Sequence, residues 1–577
     1  MHASGRPAAL LGAMATALAL ILAGPLPAQD GPATAPAAPA GTYLAARAAR
    51  EAADLPRAAD LFAQALDADP SNPWLLGNAL AANLGLGRLD RAEPLARRLS
   101  ETGLPSPYAV LVLDVARARA GDWPGLLSAL DARDGNPLVD GLTRGWAQLG
   151  AGDAAAATAA FDAVAADPAF RPFALYHKAL ALALSGDLAG ADAILALPES
   201  EGMQHTRRAV LAHAQVLAAL DRAPDALALI DGEFGPDLDA PLAALHARLA
   251  AGEPVPFALV ATPQEGLAEL HHSVAAALAP DDAEAALLYA RAALALNPSH
   301  AEAAILTARL LESLDQTVLA REAYALVPAS DPLSLEAETG RADLLQAEGQ
   351  DEAALEVLTR LAQDRPEDAQ AQAALADQLR RMDRFAEAEA AYDRTLALTP
   401  EGTGRLWYLH FMRALAREGQ GDWPGTESDL RAALALAPDQ PQLLNHLGYS
   451  LVDRGENLPE ALDLIRRAVD LEPESGAIVD SLGWAYYRLG RHTDAVAQLE
   501  TAVTLLATDP VINDHLGDAY WMVGRAREAR FQWTRALSLD PAPKDEIRIR
   551  AKLDRGLDAV LAEEREAAGL PAETSGG

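Results

Sequence analysis

Apolar positions along the chain fall in short helical registers separated by turn residues. In "RAADLFAQALDADP" a small Ala58 precedes a bulky Phe62 by four positions, and Pro70 closes the segment. "AAATAAFDAVAADP" repeats the device with Ala157 and Phe161. Residues four apart share one face of a helix, so each pair marks a helix that packs a small and a large side chain against a neighbour. Small residues recur 12 apart in the same frame, at Ala179 and Ala191 and at Ala214 and Ala226. No extended stretch alternates in the manner of a strand. The pattern predicts roughly a dozen helical pairs and an all-α chain.

The pairs keep a common period. Pro298, Pro332, Pro366 and Pro400 are 34 residues apart, and Ala286, Ala320, Ala354 and Ala388 keep the same interval 12 residues ahead of them. Pro438, Pro473 and Pro541 continue the frame with small slips, and Ala507 stands where the intervening Pro would fall. The last units are fullest. Leu447-Gly448, Leu482-Gly483 and Leu516-Gly517 recur, followed by Tyr486 and Tyr520, by Ala461, Ala495 and Ala529, and by bulky Leu499 and Trp533. Gly and Ala let two helices approach closely, the bulky positions fill the gaps, and Pro starts the next helix where its missing N–H costs nothing.

These residues resemble the tetratricopeptide repeat, whose pattern is Leu-Gly, an aromatic, Ala, a bulky residue and Pro over 34 positions. The resemblance implies a right-handed α-solenoid of antiparallel helix pairs with an extended concave face lined by the first helix of each pair. It divides the chain into a worn N-terminal block over 41–230, an irregular joint over 231–264 and a regular C-terminal block over 265–543. The joint is marked by Pro236, Pro241, Pro254, Pro256 and Pro263. A charged capping helix is expected over 544–568 and a disordered tail over 569–577.

Composition narrows the function. The formal charge is −35, from 47 basic and 82 acidic side chains, the wrong sign for nucleic acid. There is no cysteine, which removes disulfides, thiolate metal sites and a lipid-modified N-terminal Cys. "ALLGAMATALALILAG" followed by "PLPAQD" reads as a signal peptide over 1–28, cut after Ala28, with an Ala/Pro linker over 29–40. The alternative is an uncleaved inner-membrane anchor.

No enzyme motif is present: no His-Glu-x-x-His, no phosphate loop, no Gly-x-Ser-x-Gly. Neighbouring His271 and His272 point about 100° apart on a helix, which suits one packed and one exposed ring better than a shared metal. His446 and His515 occupy the same place in two repeats and suit contacts between neighbouring helices. The sequence therefore asks for no catalytic residue, no metal and no cofactor.

These readings point to protein binding. If Leu447, Leu482 and Leu516 face the neighbouring helix, the groove is lined by Asn445, Tyr449, Asp480, Trp484, Asp514 and Asp518, with Tyr487 and Trp521 a turn further on. Aromatics interleaved with acids and an amide suit a neutral or basic protein segment and disfavour a terminal carboxylate. The phrases Asn-x-Leu-Gly-Tyr and Asp-Ser-Leu-Gly-Trp resemble secreted tetratricopeptide proteins of Gram-negative bacteria. Some of these are outer-membrane lipoproteins that bind a carboxyl-terminal processing protease and deliver cell-wall hydrolases to it. That resemblance implies a periplasmic, non-enzymatic scaffold or adaptor, without the Cys-borne lipid. The alternative is a membrane-anchored component of envelope assembly, polysaccharide secretion or division machinery.

Overall fold

The computed structural model describes residues 40–567 except 236–237. The expected signal peptide, most of the linker and the tail over 569–577 lie outside the described residues. Within them the chain forms 31 α-helices, one short 3-10 turn and no strand, an all-α succession of helix pairs. Short polar residues cap many of the helices. The side chains of Ser106, Thr206, Asp282 and Asp509, for example, accept from backbone N–H groups of the first turn that would otherwise lack partners. Tight turns inside the pairs use a left-handed residue, as at Gly490 (φ 72°) and Gly524 (φ 80°), where a Cβ would be strained.

The chain divides into two compact units, residues 1–357 and 358–577. The division falls elsewhere than the composition of 231–264 suggests. That segment contains the end of the helix Ala223–Phe234 and the whole helix Ala240–Ala250. Only 251–262 is non-helical over any length, and it is tied down: Val255 and Val260 are buried, and Ala258 N–H donates to Gln215 Oε1 at 2.9 Å.

This connection turns the chain back into its own unit. Helix Pro263–Leu278 packs against the first helices Pro137–Gly150 and Arg171–Leu184. Its partner Ala283–Leu296 packs against Pro73–Gly85 and Pro107–Arg119. The inner faces of the N-terminal repeats are thus covered by a later pair of the same chain. The two helices are buried around most of their circumference, as befits central rather than surface helices. Gly266 allows the approach: a Cβ there would lie 2.3–2.4 Å from the Trp146 ring.

Placing this pair centrally buries ionisable groups, and the carboxyls among them are matched. Glu269, 1% exposed, accepts from Arg208 Nε at 2.6 Å and from the Tyr176 hydroxyl at 2.8 Å. Arg207 and Arg208 each donate to Glu302 at 2.6 Å. Burial alone would raise both carboxyls. Arg208 and His300 instead hold Glu269 well below the usual carboxylate range, and Arg208 and Arg207 hold Glu302 down at about 2. Arg291 Nε donates to the Gly85 carbonyl at 2.9 Å across the same interface. The expectation of one packed and one exposed ring at 271–272 is corrected here. Both are buried, His271 beside Tyr289 and His272 beside His300, because their helix has no solvent face at that point.

In the second unit, helix pairs stack from the core of Leu443, Leu447, Leu482 and Leu516 outward to Trp533. The small-beside-bulky rule holds in detail. A Cβ on Gly483 would meet Leu499 at 2.5 Å, and one on Gly517 would meet Trp533 at 2.4 Å. The expected single capping helix is two, Pro543–Arg555 and Leu557–Ala567, joined at Gly556 (φ 86°), where a Cβ would approach Trp521.

Candidate protein-binding site

Three consecutive first helices, Pro441–Arg454, Gly476–Arg488 and Pro510–Met522, carry the eight expected groove residues. The structure separates them into an open part and a covered part.

Asp514 and Asp518 belong to the covered part. Both are buried, and Lys552 of the helix Pro543–Arg555 is inserted between them with no exposed side-chain surface. Its Nζ lies 2.7 and 2.8 Å from the Asp514 oxygens and 2.6 and 2.8 Å from those of Asp518. Trp533 Nε1 donates to Asp518 at 2.9 Å and Arg548 donates to it at 3.2 Å. Burial and the neighbouring Asp518 push the Asp514 carboxyl up to about 6, with Lys552 opposing. Trp521 is also covered: it packs on Trp533, and its Nε1 donates to Asp558 at 3.1 Å. These three residues do not present an open acidic groove to a partner; the chain's own last helices occupy that end.

Trp484 and Tyr487 are half-buried and stack on one another, ring centroids 4.6 Å apart and 6° from parallel. The other neighbour of Trp484 is His515, at 4.0 Å and 13°. Sequence reasoning placed His515 only among contacts between neighbouring helices. It makes such a contact, Nδ1 to Asp480 at 3.0 Å, and it also lines the site. Its signal was its position, 35 residues after Asp480. Burial opposes the charged ring, but Asp480, Asp514 and Asp518 together raise its proton affinity above the ordinary histidine value. His446, its counterpart two repeats earlier, meets Glu418 at 2.9 Å.

The open part is a cavity of about 260 Å³ lined by Asn445, His446, Tyr449, Asp480, Ser481 and His515, with Asp509 and Val511 at its edge. Among the described residues its lining comes from the helices Pro441–Arg454, Gly476–Arg488 and Pro510–Met522 and from Asp509. The side-chain oxygen of Asn445 is buried and has no donor. Burial, then Asp453 and Asp480, push the Tyr449 hydroxyl up to about 12 against the pull of Arg488. Among the described residues no group of three or more His, Asp or Glu side chains is gathered as a metal site.

The tetratricopeptide-repeat family profile matches residues 339–403, 411–476 and 447–510. Residues 339–403 and 411–510 thus carry the tetratricopeptide-repeat pattern. A TPR repeat-containing protein of Pseudomonas aeruginosa is 34% identical over 196 residues, which is 34% of this chain and 32% of that one. The match therefore spans about a third of that relative. Solved structures match at low identity and low TM-score. The Cut9–Hcn1 hetero-tetramer of the APC/C is 16% identical over 90% of this chain and 96% of that one, with a TM-score of 0.36. Yeast Tom70 is 11% identical over 91% and 96%, with a TM-score of 0.33. A tetratricopeptide repeat protein from Parabacteroides merdae is 16% identical over 44% and 96%, with a TM-score of 0.37.

Proposed function

We propose that the protein is an exported, non-enzymatic scaffold that holds a partner protein along the first helices of the repeats between Pro441 and Met522. The observation that carries this reading is the contrast between two inner faces. The N-terminal repeats have theirs filled by helices Pro263–Leu278 and Ala283–Leu296, whereas the cavity around Asn445 and Tyr449 is lined, among the described residues, by the three first helices themselves and Asp509. Repeat solenoids bind through such faces, with aromatic area and fixed polar groups supplying affinity and register.

The signal-like segment over 1–28 and the envelope-type phrases around Leu447 and Leu482 support a periplasmic adaptor. In that role it brings substrates to a processing protease, as the resemblance of the C-terminal repeats implies. Export is tested by fractionation and N-terminal sequencing: a mature chain beginning at Gln29 supports it, and an intact Met1 in the membrane fraction contradicts it. The binding surface is tested by capture from envelope extract with the wild-type protein and a Tyr449→Arg variant, read by quantitative mass spectrometry. A processing protease or its substrates should be recovered with the wild type and lost with the variant. An identical recovered set overturns the assignment.

A further inference from the structure

We infer that the cavity between Asn445 and His515 is a pocket for one basic side chain, an arginine, projecting from the partner segment. The inference rests on the binding face proposed above and specifies what that face reads.

The first argument is the unmet acceptor. Asn445 Oδ1 is buried in the wall and accepts from nothing. A buried carbonyl oxygen without a donor carries its full desolvation cost, so a turn of this amide toward a donating ligand is favourable. Two of the surrounding donors are already used. Ser481 Oγ donates to the Ala477 carbonyl at 3.1 Å, and His515 Nδ1 is directed at Asp480. Asp509 accepts from Val511 N and Ile512 N, so its carboxylate stands fixed at the cavity edge.

The second argument is charge. The groups around the cavity are Asp480 with His515, Asp509, the Glu418–His446 pair, and Asp453 with Arg488 at 3.3 Å. Four carboxylates stand against one guanidinium and the ring of His515, with His446 bonded to Glu418. A carboxylate-bearing ligand would be repelled, and a neutral one would leave that charge unanswered.

The third argument is the chain's own precedent. One repeat further on, the same face holds a cation: Lys552 is sequestered between Asp514 and Asp518, over the face of Trp533 at 5.8 Å. The pocket at Asn445 has related chemistry, with an amide and carboxylates around it and the Tyr449 ring in its wall, but no Lys or Arg lines it. Its acceptors belong to several separate groups. The five spread donors of a guanidinium answer them better than the compact ammonium of a lysine, and the planar group can stack on Tyr449. The volume of about 260 Å³ suits one such side chain rather than a helix or a folded loop.

The experiment selects ligands without naming them in advance. Random dodecapeptides displayed on ribosomes are panned on the purified full-length protein. Enriched peptides are then resynthesised with each arginine replaced by citrulline, which keeps the shape and removes the charge, or by lysine. Binding is measured to the wild type, to Asn445→Lys, which places a cation in the pocket from within, and to Phe531→Ala as an exposed control on a second helix. Circular dichroism verifies folding. The inference predicts enriched peptides that share an arginine, at least tenfold weaker binding of the citrulline form, a smaller loss with lysine, and at least tenfold weaker binding to Asn445→Lys with Phe531→Ala unchanged. Enriched peptides without a basic residue, or citrulline binding equally, overturn the arginine pocket. If Asn445→Lys still abolishes capture of such peptides, the binding face stands and only its selectivity falls. Failure to enrich anything, or capture indifferent to Asn445→Lys, overturns both.

Discussion

Replacing Lys552 by methionine keeps the apolar stem that lies near Trp533 and removes only the ammonium. The two carboxylates it holds then face one another under the last helices with Arg548 as the remaining cation, partly exposed and shared with Glu564. Breaking a buried ion pair by removing one partner costs about 3–5 kcal/mol, because the surviving charge stays buried without compensation. Each 1.4 kcal/mol is a factor of ten in an equilibrium, so local opening of residues 510–567 should become about a hundredfold or more easier. Stability in a repeat array is distributed by neighbours, so the loss should be confined to the last repeats. Hydrogen exchange read by mass spectrometry is the assay. The expected pattern is faster exchange in peptides covering 510–567, with the N-terminal unit unaffected. Adding Asp514→Asn and Asp518→Asn to the Lys552→Met background should restore most of the protection, since amides need no counter-ion and the one introduced at position 518 can still accept from Trp533. Lys552→Met with wild-type exchange, or a triple variant no better than the single one, would refute the reasoning.

Other consequences can be measured in the same way. Gly266→Val should drive a side chain into the Trp146 ring and destabilise the first unit by about 1–3 kcal/mol, read as faster proteolysis within residues 40–350 at unchanged C-terminal exchange. The proton affinity of His515 is raised on folding, so its contribution is fully present below the ordinary histidine range and is lost as pH rises through the folded value. Asp514, raised to about 6, acts in the same sense between about pH 4 and 6, since its ionisation penalises the folded state. Chemical-rate-corrected exchange of 476–522 should therefore quicken from pH 5 to pH 8, and Asp480→Asn should flatten the His515 part of that dependence. Trp484→Ala removes the ring between Tyr487 and His515, and should loosen both while leaving helix content by circular dichroism unchanged.

Much of this architecture is legible in the sequence because it is local and periodic. The 34-residue ruler, the Gly beside a bulky residue and the polar caps each act within one repeat or between neighbours, and Gly483 against Leu499 follows from the pattern directly. The central placement of helices Pro263–Leu278 and Ala283–Leu296 does not. It depends on contacts such as Arg291 with Gly85, separated by more than two hundred residues, and a period of 34 says nothing about which turn of chain meets which. The one trace is "ALLYARAALAL", apolar on nearly every face. The fate of Asp514 and Asp518 has a plainer signal. Adding one period to each gives Arg548 and Lys552, basic side chains at the same positions of the next helix. Trp484 and Tyr487 do lie on the three-helix face, but stacking commits much of their area to each other and to His515, a geometry that spacing alone does not reveal.

The central claim is that partners are held on the first-helix face around Tyr449 rather than on the outer helices. Photo-crosslinking in intact cells tests it most directly, with a benzophenone amino acid placed singly at Tyr449 or at the exposed Phe531, and adducts mapped by mass spectrometry. The account predicts a protein adduct from position 449, with a peptide containing arginine at the crosslink, and none from position 531. Adducts from 531 alone, or the same adducts from both, would contradict it.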